Sequence, residues 1–507
     1  MNKGRIYLLF LVIVLLFVIG HRFLYAGNYA ATWDQVDFAL SLNRFDLSMM
    51  QPHFPGYPFF VLGGMLFESW IKDPILSFAF FNKLMLGLSA IPMYGIARRY
   101  LSRSNSLLAV ITWQVIPYWN VLSSIAMSDI AAVSILWWYF WSIFVALDRP
   151  SYRYQLLPLL FYSLLLGTRL SYIAFGIVLL GLWWIDTRRV KAGRKTRALR
   201  LLSLSLFAVL FQLVWITALV ITEGSLDRFI SLALSFTGGH FTEWGGAITE
   251  DSNSIFERLI KLLGYNLIWV GLAVESKLLM ILVIAALLFA VATRTPFKHG
   301  GSQRVFLILM AVSALSYLLW ALLAQNIDKP RHIAPLLLFI GFWVAVSFAR
   351  GTPHPLKKVF VVLVLVLSFI EGTVLMKQQE VQIPATYQLV DYVQDQEKQY
   401  PIVVFGWEET RVMDYLQVNF PYQKVLTYEL FLQRISDFGQ RRILLTDHVL
   451  EGFKMQGVAV VGLVKKEKEF LSNALFEPGY HRIRLYEWKG EMGIAGLTSE
   501  GDVRLSP

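Results

Sequence analysis

The sequence contains no cysteine and few charged residues. Among its 507 residues, only 16% are Asp, Glu, Lys or Arg, whereas 56% are hydrophobic. The absence of cysteine excludes disulfides, thiolate metal sites and cysteine nucleophiles. The low charge content excludes a soluble protein with several domains. Residues 377–507 also lack a GxGxxG fingerprint and a Walker-type loop, so no nucleotide-binding motif is recognised there.

Long apolar runs are abundant instead. Runs of about 18 or more residues recur, which is enough to cross roughly 30 Å of hydrocarbon. The first run is predicted to be a retained anchor, because residues 20–23 (GHRF) offer no small-x-small cleavage site. Together the runs predict eleven membrane-spanning helices at 5–21, 75–97, 105–121, 129–147, 155–170, 172–186, 201–222, 276–293, 305–324, 332–349 and 358–376.

The formal charge of +11 is concentrated in the short loops between these spans. Lys and Arg cluster in every second loop, and the positive-inside rule makes those loops cytoplasmic. The N-terminus is therefore predicted to be cytoplasmic and the C-terminus extracytoplasmic. This placement of the cations indicates a lipid bilayer as the partner, and not nucleic acid.

The opposite face carries the longer loops, at 22–74 and 223–275. Within the second loop, residues 254–273 combine helical apolar spacing with interposed charges, so we expect a helix in the membrane interface. If that segment crosses the membrane instead, the topology after it inverts. Residues 237–245 predict a glycine-rich external turn that covers a substrate. It contains His240 and Glu243, which are too few ligands for a metal site.

The composition changes after Met376. Short β-branched runs alternate there with charged, helical segments. This alternation predicts a soluble, extracytoplasmic α/β domain over residues 377–507.

The segment 32–58, TWDQVDFALSLNRFDLSMMQPHFPGYP, is the most informative external stretch. Carboxylates at a bilayer surface are candidates for a functional site. The spacing of Asp34 and Asp37 puts both on one helix face, where one could act as general base on a hydroxyl. The structural alternative is a capping box in which Thr32 and Gln35 start the helix. His53 and Tyr57 lie in the proline-rich turn that follows.

Further charged residues are predicted at the outer ends of spans. Asp129 opens the fourth span, either as part of a helix cap or as part of a polar cavity shared with Asp34. Arg169 lies between two spans, where it either snorkels to the surface or binds an anion. Lys329, Arg331 and His332 precede the tenth span, and a phosphate at that helix N-terminus would explain three such groups together.

The order of these motifs resembles the GT-C superfamily of membrane glycosyltransferases. The closest likeness is to the branch with protein O-mannosyltransferases and the aminoarabinose transferase of lipid A, as in glycosyltransferase family 39. Gln35 departs from that branch, which usually has Glu there, and Phe54 replaces a proline. The motifs that carry the resemblance are Trp33-Asp34-Gln35, the turn 53–58, Ser128-Asp129, and Lys329-Pro330-Arg331-His332 followed by Ala334-Pro335-Leu336.

The resemblance covers residues 1–376 and implies a polytopic α-helical GT-C-like catalytic domain. It implies that a hexose or pentose is transferred, with inversion, from a polyprenyl-phosphate donor to a cell-envelope acceptor outside the cytoplasm. Asp34 matches the catalytic acidic position, and Asp37 would supply the second carboxylate. The leaving phosphate needs fixed cations, for which Arg331 and Lys329 come first and Arg169 third. The remaining expected substrate contacts are His53, Tyr57, Asp129, His240 and His332.

No cofactor is required by the sequence, although a divalent cation beside Asp34 and Asp129 is compatible with it. Two other classes of function stay open at this point. A transporter or lipid flippase predicts charges well inside several spans, and a membrane scaffold or sensor predicts no shared purpose for the outer charges. The sequence does not identify the sugar, the acceptor, the oligomeric state or the role of the outer domain.

Overall fold

The computed structural model describes residues 3–189, 193–243, 245–249, 253–292, 301–350 and 355–490. The chain divides into two compact units. One comprises residues 1–30 and 34–382, and the other comprises residues 31–33 and 383–507. The predicted boundary after Met376 lies inside a helix, Pro355–Val381, so the first unit extends a little further than expected.

The first unit is built from helices. In chain order they are α1 Lys3–His21, α2 Trp33–Asn43, α3 Pro58–Ile71, α4 Pro74–Leu88, α5 Ala90–Ala97, α6 Arg103–Gln114, α7 Pro117–Ser123, α8 Asp129–Asp148, α9 Tyr152–Thr168, α10 Ile177–Arg189, α11 Arg194–Glu223, α12 Leu226–Thr242, α13 Ile255–Ile260, α14 Lys277–Ala292, α15 Gly301–Ala324, α16 Ala334–Ala349 and α17 Pro355–Val381. Short 3₁₀ turns span Arg22–Leu24, Leu47–Met49, Leu170–Gly176 and Pro330–Ile333, and a π-helix spans Lys261–Leu272.

Eight helical stretches among the described residues are long and apolar enough to cross a membrane, or nine if one bent pair counts as a span. The chain is therefore a multi-pass membrane protein. The eight stretches coincide with eight of the eleven predicted spans. The other three are shorter helices: α9, α14, and a stretch broken into α6 and α7 where Pro117 cannot continue the helix. The exact number of spans stays a prediction.

The segment that we expected in the membrane interface forms α13 and the π-helix, Lys261–Leu272. This pair meets α14 at an angle of 111°. The chain bends through Val274 and Glu275, which both adopt positive φ values. The bend breaks any straight span, whereas the placement of this helix in the interface stays a prediction.

Helix α8 forms the centre of the first unit. It is apolar on all sides and largely buried, which is typical of a core helix. It packs against α4, α5 and α9. An indole cluster of Trp113, Trp119 and Trp137 adds to this core, with ring centroids 4.8 and 5.6 Å apart. The packing fixes the start of α8, and with it Asp129.

The second unit is an α/β domain, as predicted. Its elements are α18 Ala385–Glu397, β1 Ile402–Gly406, α19 Glu409–Leu416, β2 Tyr422–Lys424, α20 Tyr428–Ile435, β3 Arg442–Thr446, α21 Asp447–Met455, β4 Val464–Leu471 and β5 Arg482–Trp488. The sheet order is β2-β1-β3-β5-β4. Strand β1 runs parallel to β2 and β3, whereas β5 is antiparallel to β3 and β4. Every residue of β1 is buried, because apolar clusters cover both faces of the sheet.

Candidate active site

Five charged side chains from four segments meet in the first unit. The guanidinium of Arg331 contacts the carboxylate of Asp34, and Lys329 Nζ lies 3.5 Å from Asp34 Oδ2. Arg331 Nε lies 3.8 Å from Asp129 Oδ2, and Arg169 Nη2 lies 3.0 Å from Asp129 Oδ1. We refer to Asp34, Lys329 and Arg331 as the outer trio, and to Asp129 and Arg169 as the inner pair. Asp34 and Asp129 lie in the first turns of α2 and α8, whereas Arg169, Lys329 and Arg331 lie in or next to 3₁₀ turns.

The inner pair is shielded from solvent. The side chains of Asp129 and Arg169 are only 1% and 8% exposed. Arg169 also donates a hydrogen bond of 3.0 Å to Ser128 Oγ, at the start of α8. Arg169 does not snorkel to the surface, because its guanidinium pairs with the internal carboxylate of Asp129, and a role in binding the donor anion stays a prediction. Asp129 is likewise a buried ion-pair partner and not only a helix-start residue. A charge removed this far from water needs such a partner.

The outer trio is more accessible, with side-chain exposures of 22% for Asp34, 35% for Lys329 and 13% for Arg331. Burial alone would raise the pKa of Asp34, but the charges of Lys329 and Arg331 outweigh it and hold that pKa well below its usual range. Arg331 Nε is buried and has no hydrogen-bond partner among the described residues. The trio thus combines an ionised carboxylate with two cations, and the buried Nε of Arg331 faces Asp129.

Asp37 lies one helical turn after Asp34 but has different partners. It is fully buried, and its Oδ2 lies 3.1 Å from Nδ1 of His53. His53 Nε2 in turn lies 3.0 Å from Tyr57 Oη. Burial raises the pKa of Tyr57, so its phenol stays protonated. Although the two aspartates are three residues apart on α2, only Asp34 is partly exposed, and Asp37 is not. Asp37 begins a buried Asp37–His53–Tyr57 chain.

The proline-rich turn that carries His53 is fixed by local contacts. The backbone groups of Asp46 and Gln51 exchange two hydrogen bonds of 2.7 and 2.8 Å. Gly56 adopts a φ of +86°, and a side chain there would come within 2.9 Å of Leu219. Only glycine meets both conditions. The turn therefore presents His53 in one fixed orientation.

The capping box expected at the start of α2 is not formed. The hydroxyl of Thr32 is buried and has no hydrogen-bond partner among the described residues, so it caps no backbone amide. Gln35 is buried as well. The start of α2 is therefore held by other contacts, including the ion pair of Asp34 with Arg331.

His240 and His332 contact backbone carbonyl groups. His240 Nε2 lies 2.8 Å from the carbonyl oxygen of Ala324, and His332 Nδ1 lies 3.0 Å from that of Asn326. The predicted external turn at 237–245 is also wrong, because its residues up to Thr242 belong to helix α12. Helix α12 is held by aromatic packing of Phe229 and Phe236 on Phe54 and of Phe236 on His53.

The connector between α15 and the turn at 330–333 depends on residues that sequence reasoning did not select. Arg258 is fully buried and donates to the backbone carbonyl groups of Gly246, Leu322 and Gln325, at 2.9 to 3.2 Å. Asn266 donates to the carbonyl of Ile327 at 2.8 Å, and Lys261 contacts Asp328. The only signal in the sequence was the presence of charges in an otherwise apolar helical segment. These contacts fix the connector that leads to Lys329 and Arg331.

A second buried cation was also missed. Arg22, just after α1, is 2% exposed and donates to the side chains of Gln114 and Asn120 at 2.6 and 2.8 Å. Its partners are amides and a backbone carbonyl, so it joins α1 to α6 and α7 without entering the charge cluster.

The site does not fit a divalent cation in this arrangement. No group of three or more His, Asp or Glu side chains suited to a metal ion occurs within the described part of the chain. The guanidinium of Arg331 lies between Asp34 and Asp129, the two proposed ligands. A cation of the protein thus takes the position that a metal would need.

No family model and no curated protein matches the sequence significantly. In fold, the chain is similar to ArnT from Cupriavidus metallidurans. The complex with undecaprenyl phosphate aligns with a TM-score of 0.54 and the apo form with 0.57, each at 13% identity over 96% of this chain and 98% of that chain. The Archaeoglobus fulgidus oligosaccharyltransferase aligns with a TM-score of 0.48 and 14% identity, over 83% of this chain and 64% of that chain. The two ArnT structures thus confirm the fold that the motifs implied: over nearly its whole length, this chain has the fold seen in ArnT.

Proposed function

We propose that the protein is a membrane glycosyltransferase that moves a sugar from a polyprenyl-phosphate donor to an acceptor outside the cytoplasm. The observation that carries this proposal is the outer trio, in which a carboxylate contacts two cations and all three side chains are partly exposed. A similar fold binds undecaprenyl phosphate in ArnT. The sugar, a hexose or pentose, and the cell-envelope acceptor are left open.

Arg331 and Lys329 are the proposed binding groups for the donor phosphate. The leaving polyprenyl phosphate gains negative charge as the bond to the sugar breaks, and fixed cations stabilise that charge. Arg331 suits this role because a guanidinium can bind two phosphate oxygens at once. Its Nε is buried and lies 3.8 Å from Asp129 Oδ2, so the terminal nitrogens of the guanidinium are the ones proposed to bind the phosphate.

Asp34 is the proposed general base. While Asp34 is paired with Lys329 and Arg331 it is a weak base, because the two cations hold its pKa well below the usual range. A donor phosphate would compete for the same two cations. As they turn to the phosphate, the pKa of Asp34 rises and its carboxylate becomes able to accept a proton. Donor binding and base activation are thereby coupled.

The reaction proposed is a single inverting displacement. The acceptor oxygen forms a bond to the anomeric carbon while the bond from that carbon to the phosphate oxygen breaks. The acceptor proton passes to Asp34, and the bonding electron pair leaves with the phosphate. No covalent enzyme intermediate is needed. The inner pair would help to fix the position of Arg331, because Asp129 Oδ2 lies 3.8 Å from Arg331 Nε.

The test uses a deletion strain. We expect its membranes to accumulate the lipid-linked sugar donor, identified by mass spectrometry. Purified protein in detergent, given that lipid extract and the envelope fraction of the same strain, should release polyprenyl phosphate. A transporter or flippase would release none, because it breaks no glycosidic bond. Absence of both accumulation and release would contradict the proposal.

A matched pair of variants completes the test. Asp34→Asn should reduce release by orders of magnitude, whereas Asp395→Asn should not, because Asp395 is an exposed carboxylate of α18 that pairs with Lys398. The orientation with a cytoplasmic N-terminus and an extracytoplasmic second unit belongs to the same proposal. Labelling of single cysteines introduced into this cysteine-free chain tests it directly.

A further inference from the structure

Helix α12 exposes a straight row of apolar side chains. Leu226, Ile230 and Leu234 are between 45% and 69% exposed, and we refer to these three residues as the apolar row. We propose that the apolar row is a lipid-binding surface, so that α12 lies lengthwise in the membrane interface with this row among the acyl chains of the bilayer. This surface and its partner are independent of the proposed reaction.

The side chains of α12 fall into sectors around the helix axis. With about 3.6 residues per turn, residues that are four positions apart lie in the same sector. The apolar row occupies one sector. The neighbouring sector, here called the polar row, holds three exposed residues: Asp227, Ser231 and Ser235. A helix in the membrane interface needs both rows, because one side of it meets hydrocarbon and another side meets water.

The remaining sector of α12 packs on the protein. The ring centroids of Phe229 and Phe236 lie 5.9 and 5.5 Å from that of Phe54. Leu232 packs against an apolar cluster that includes Trp215 of α11. These contacts fix the rotation of α12 about its own axis, so the apolar row cannot turn inward without the loss of this packing.

The apolar row continues the lipid-facing surface of α11. Helix α11 is one of the stretches that are long and apolar enough to cross a membrane, and Ile221 near its end is strongly exposed. Only Gly224 and Ser225 separate α11 from α12. Helix α12 therefore begins where the apolar run of α11 ends, which is the boundary of the hydrocarbon.

Helix α12 is not suited to cross the membrane itself. Its 17 residues extend about 26 Å, which is less than the roughly 30 Å of the hydrocarbon core. Asp227 and Arg228 lie near its start, and charged side chains are costly in the hydrocarbon core. A helix that begins at the membrane boundary, cannot cross, and exposes an apolar row beside a polar row fits the interface.

Two alternatives predict different surroundings for the apolar row. An ordinary surface helix exposes the row to water, as single apolar residues on soluble proteins are. A second copy of the chain would cover the row and exclude both water and lipid. Acyl chains are the occupant favoured by the structure, because the row continues the exposed apolar surface of a membrane-spanning helix.

The experiment attaches a nitroxide spin label to single cysteines of the full-length protein in liposomes of phosphatidylethanolamine and phosphatidylglycerol. The chain has no cysteine of its own, so each label reports one position. Leu234→Cys samples the apolar row, and Ser235→Cys, at the next residue in the polar row, is the matched control. Power saturation of the EPR signal compares access to oxygen, which concentrates in hydrocarbon, with access to a water-soluble nickel chelate. We expect the ratio of oxygen to nickel access to be at least about threefold higher for Leu234→Cys than for Ser235→Cys.

The pair Ile230→Cys and Ser231→Cys repeats the comparison one turn earlier, so the test does not depend on the folding of one variant. Nickel access as high in the apolar row as in the polar row would overturn the proposal in favour of a surface helix in water. Low access to both reagents in the apolar row would overturn it in favour of cover by protein. None of these measurements needs a substrate, so failure of the protein to release polyprenyl phosphate would contradict the proposed function alone.

Discussion

The outer trio and the inner pair use the same chemical groups in different surroundings. Asp129 and Arg169 are almost fully enclosed, whereas Asp34, Lys329 and Arg331 keep between 13% and 35% of their side chains exposed. Enclosed charges must remain paired, because separation leaves a charge without water or counterion. Partly exposed charges can exchange partners at lower cost.

The difference separates two roles for ion pairs within one site. The inner pair fixes the start of α8 against the end of α9, so we expect it to contribute to folding. The outer trio can open to admit a phosphate and an acceptor, so we expect it to contribute to chemistry. Changes in the two groups should therefore differ in which measurement they affect, not only in magnitude.

The largest expected effect is on turnover in Asp34→Asn. The amide cannot accept the acceptor proton, so kcat should fall by about 10³- to 10⁴-fold, the upper part of the range for a general base. Thermal stability and binding of undecaprenyl phosphate should be kept or improved, since a competitor for Arg331 is lost. Product release at a near-normal rate would remove Asp34 from the role of base.

The next effect is on stability in Arg169→Ala. The buried carboxylate of Asp129 would lose its counterion, at a cost of about 3–5 kcal/mol in the free energy of unfolding. The double variant Asp129→Leu with Arg169→Met should recover much of that loss, because apolar residues need no counterion. Thermal unfolding in detergent measures both variants. Equal stability of the single variant and the wild type would show that the inner pair is not structural.

A smaller effect is expected for Lys329→Ala. Because Lys329 is a third exposed, its loss should lower kcat/KM only about tenfold, the lower end expected for a contact between charged groups. The sign of the accompanying pH change is fixed. Lys329 and Arg331 lower the pKa of Asp34, so removing Lys329 raises that pKa, and the acidic limb of kcat/KM must move to higher pH. A limb that moves to lower pH would contradict the pairing.

The smallest effect is expected at the surface pair of Arg44 and Asp46. Arg44 is 71% exposed, so Arg44→Ala should change stability by at most about 1 kcal/mol and leave kcat/KM unchanged. This variant removes an arginine close in sequence to the proline-rich turn without touching either cluster. A large loss of activity here would mean that the general positive charge of this face, and not the outer trio, binds the donor.

Much of the fold followed from local patterns in the sequence. Apolar length predicted the spans, and short β-branched runs predicted the α/β domain, because both features depend on neighbours along the chain. The motifs also named the five residues that form the charge cluster. Their common location followed from the predicted faces of the membrane and from the family resemblance.

The ion pairs within the site could not be predicted from local sequence patterns. Asp34 and Arg331 are 297 positions apart, and Arg169 and Asp129 are 40 apart. Which carboxylate meets which cation depends on helix packing that no local pattern encodes. Asp37 and Asp34 have different partners for the same reason. Asp37 contacts His53, and the proline-rich turn sets the position of His53. Arg258 was missed because its partners are backbone carbonyl groups, which have no sequence signature.

Binding of undecaprenyl phosphate tests the central claim most directly, because it needs neither the sugar nor the acceptor. Affinity is measured in detergent for the wild type, Arg331→Ala and Arg44→Ala. We predict that Arg331→Ala weakens binding by about tenfold or more, as expected for loss of a charged hydrogen bond, while Arg44→Ala binds like the wild type. Equal affinity of all three proteins would contradict the assignment of the outer trio as the donor phosphate site.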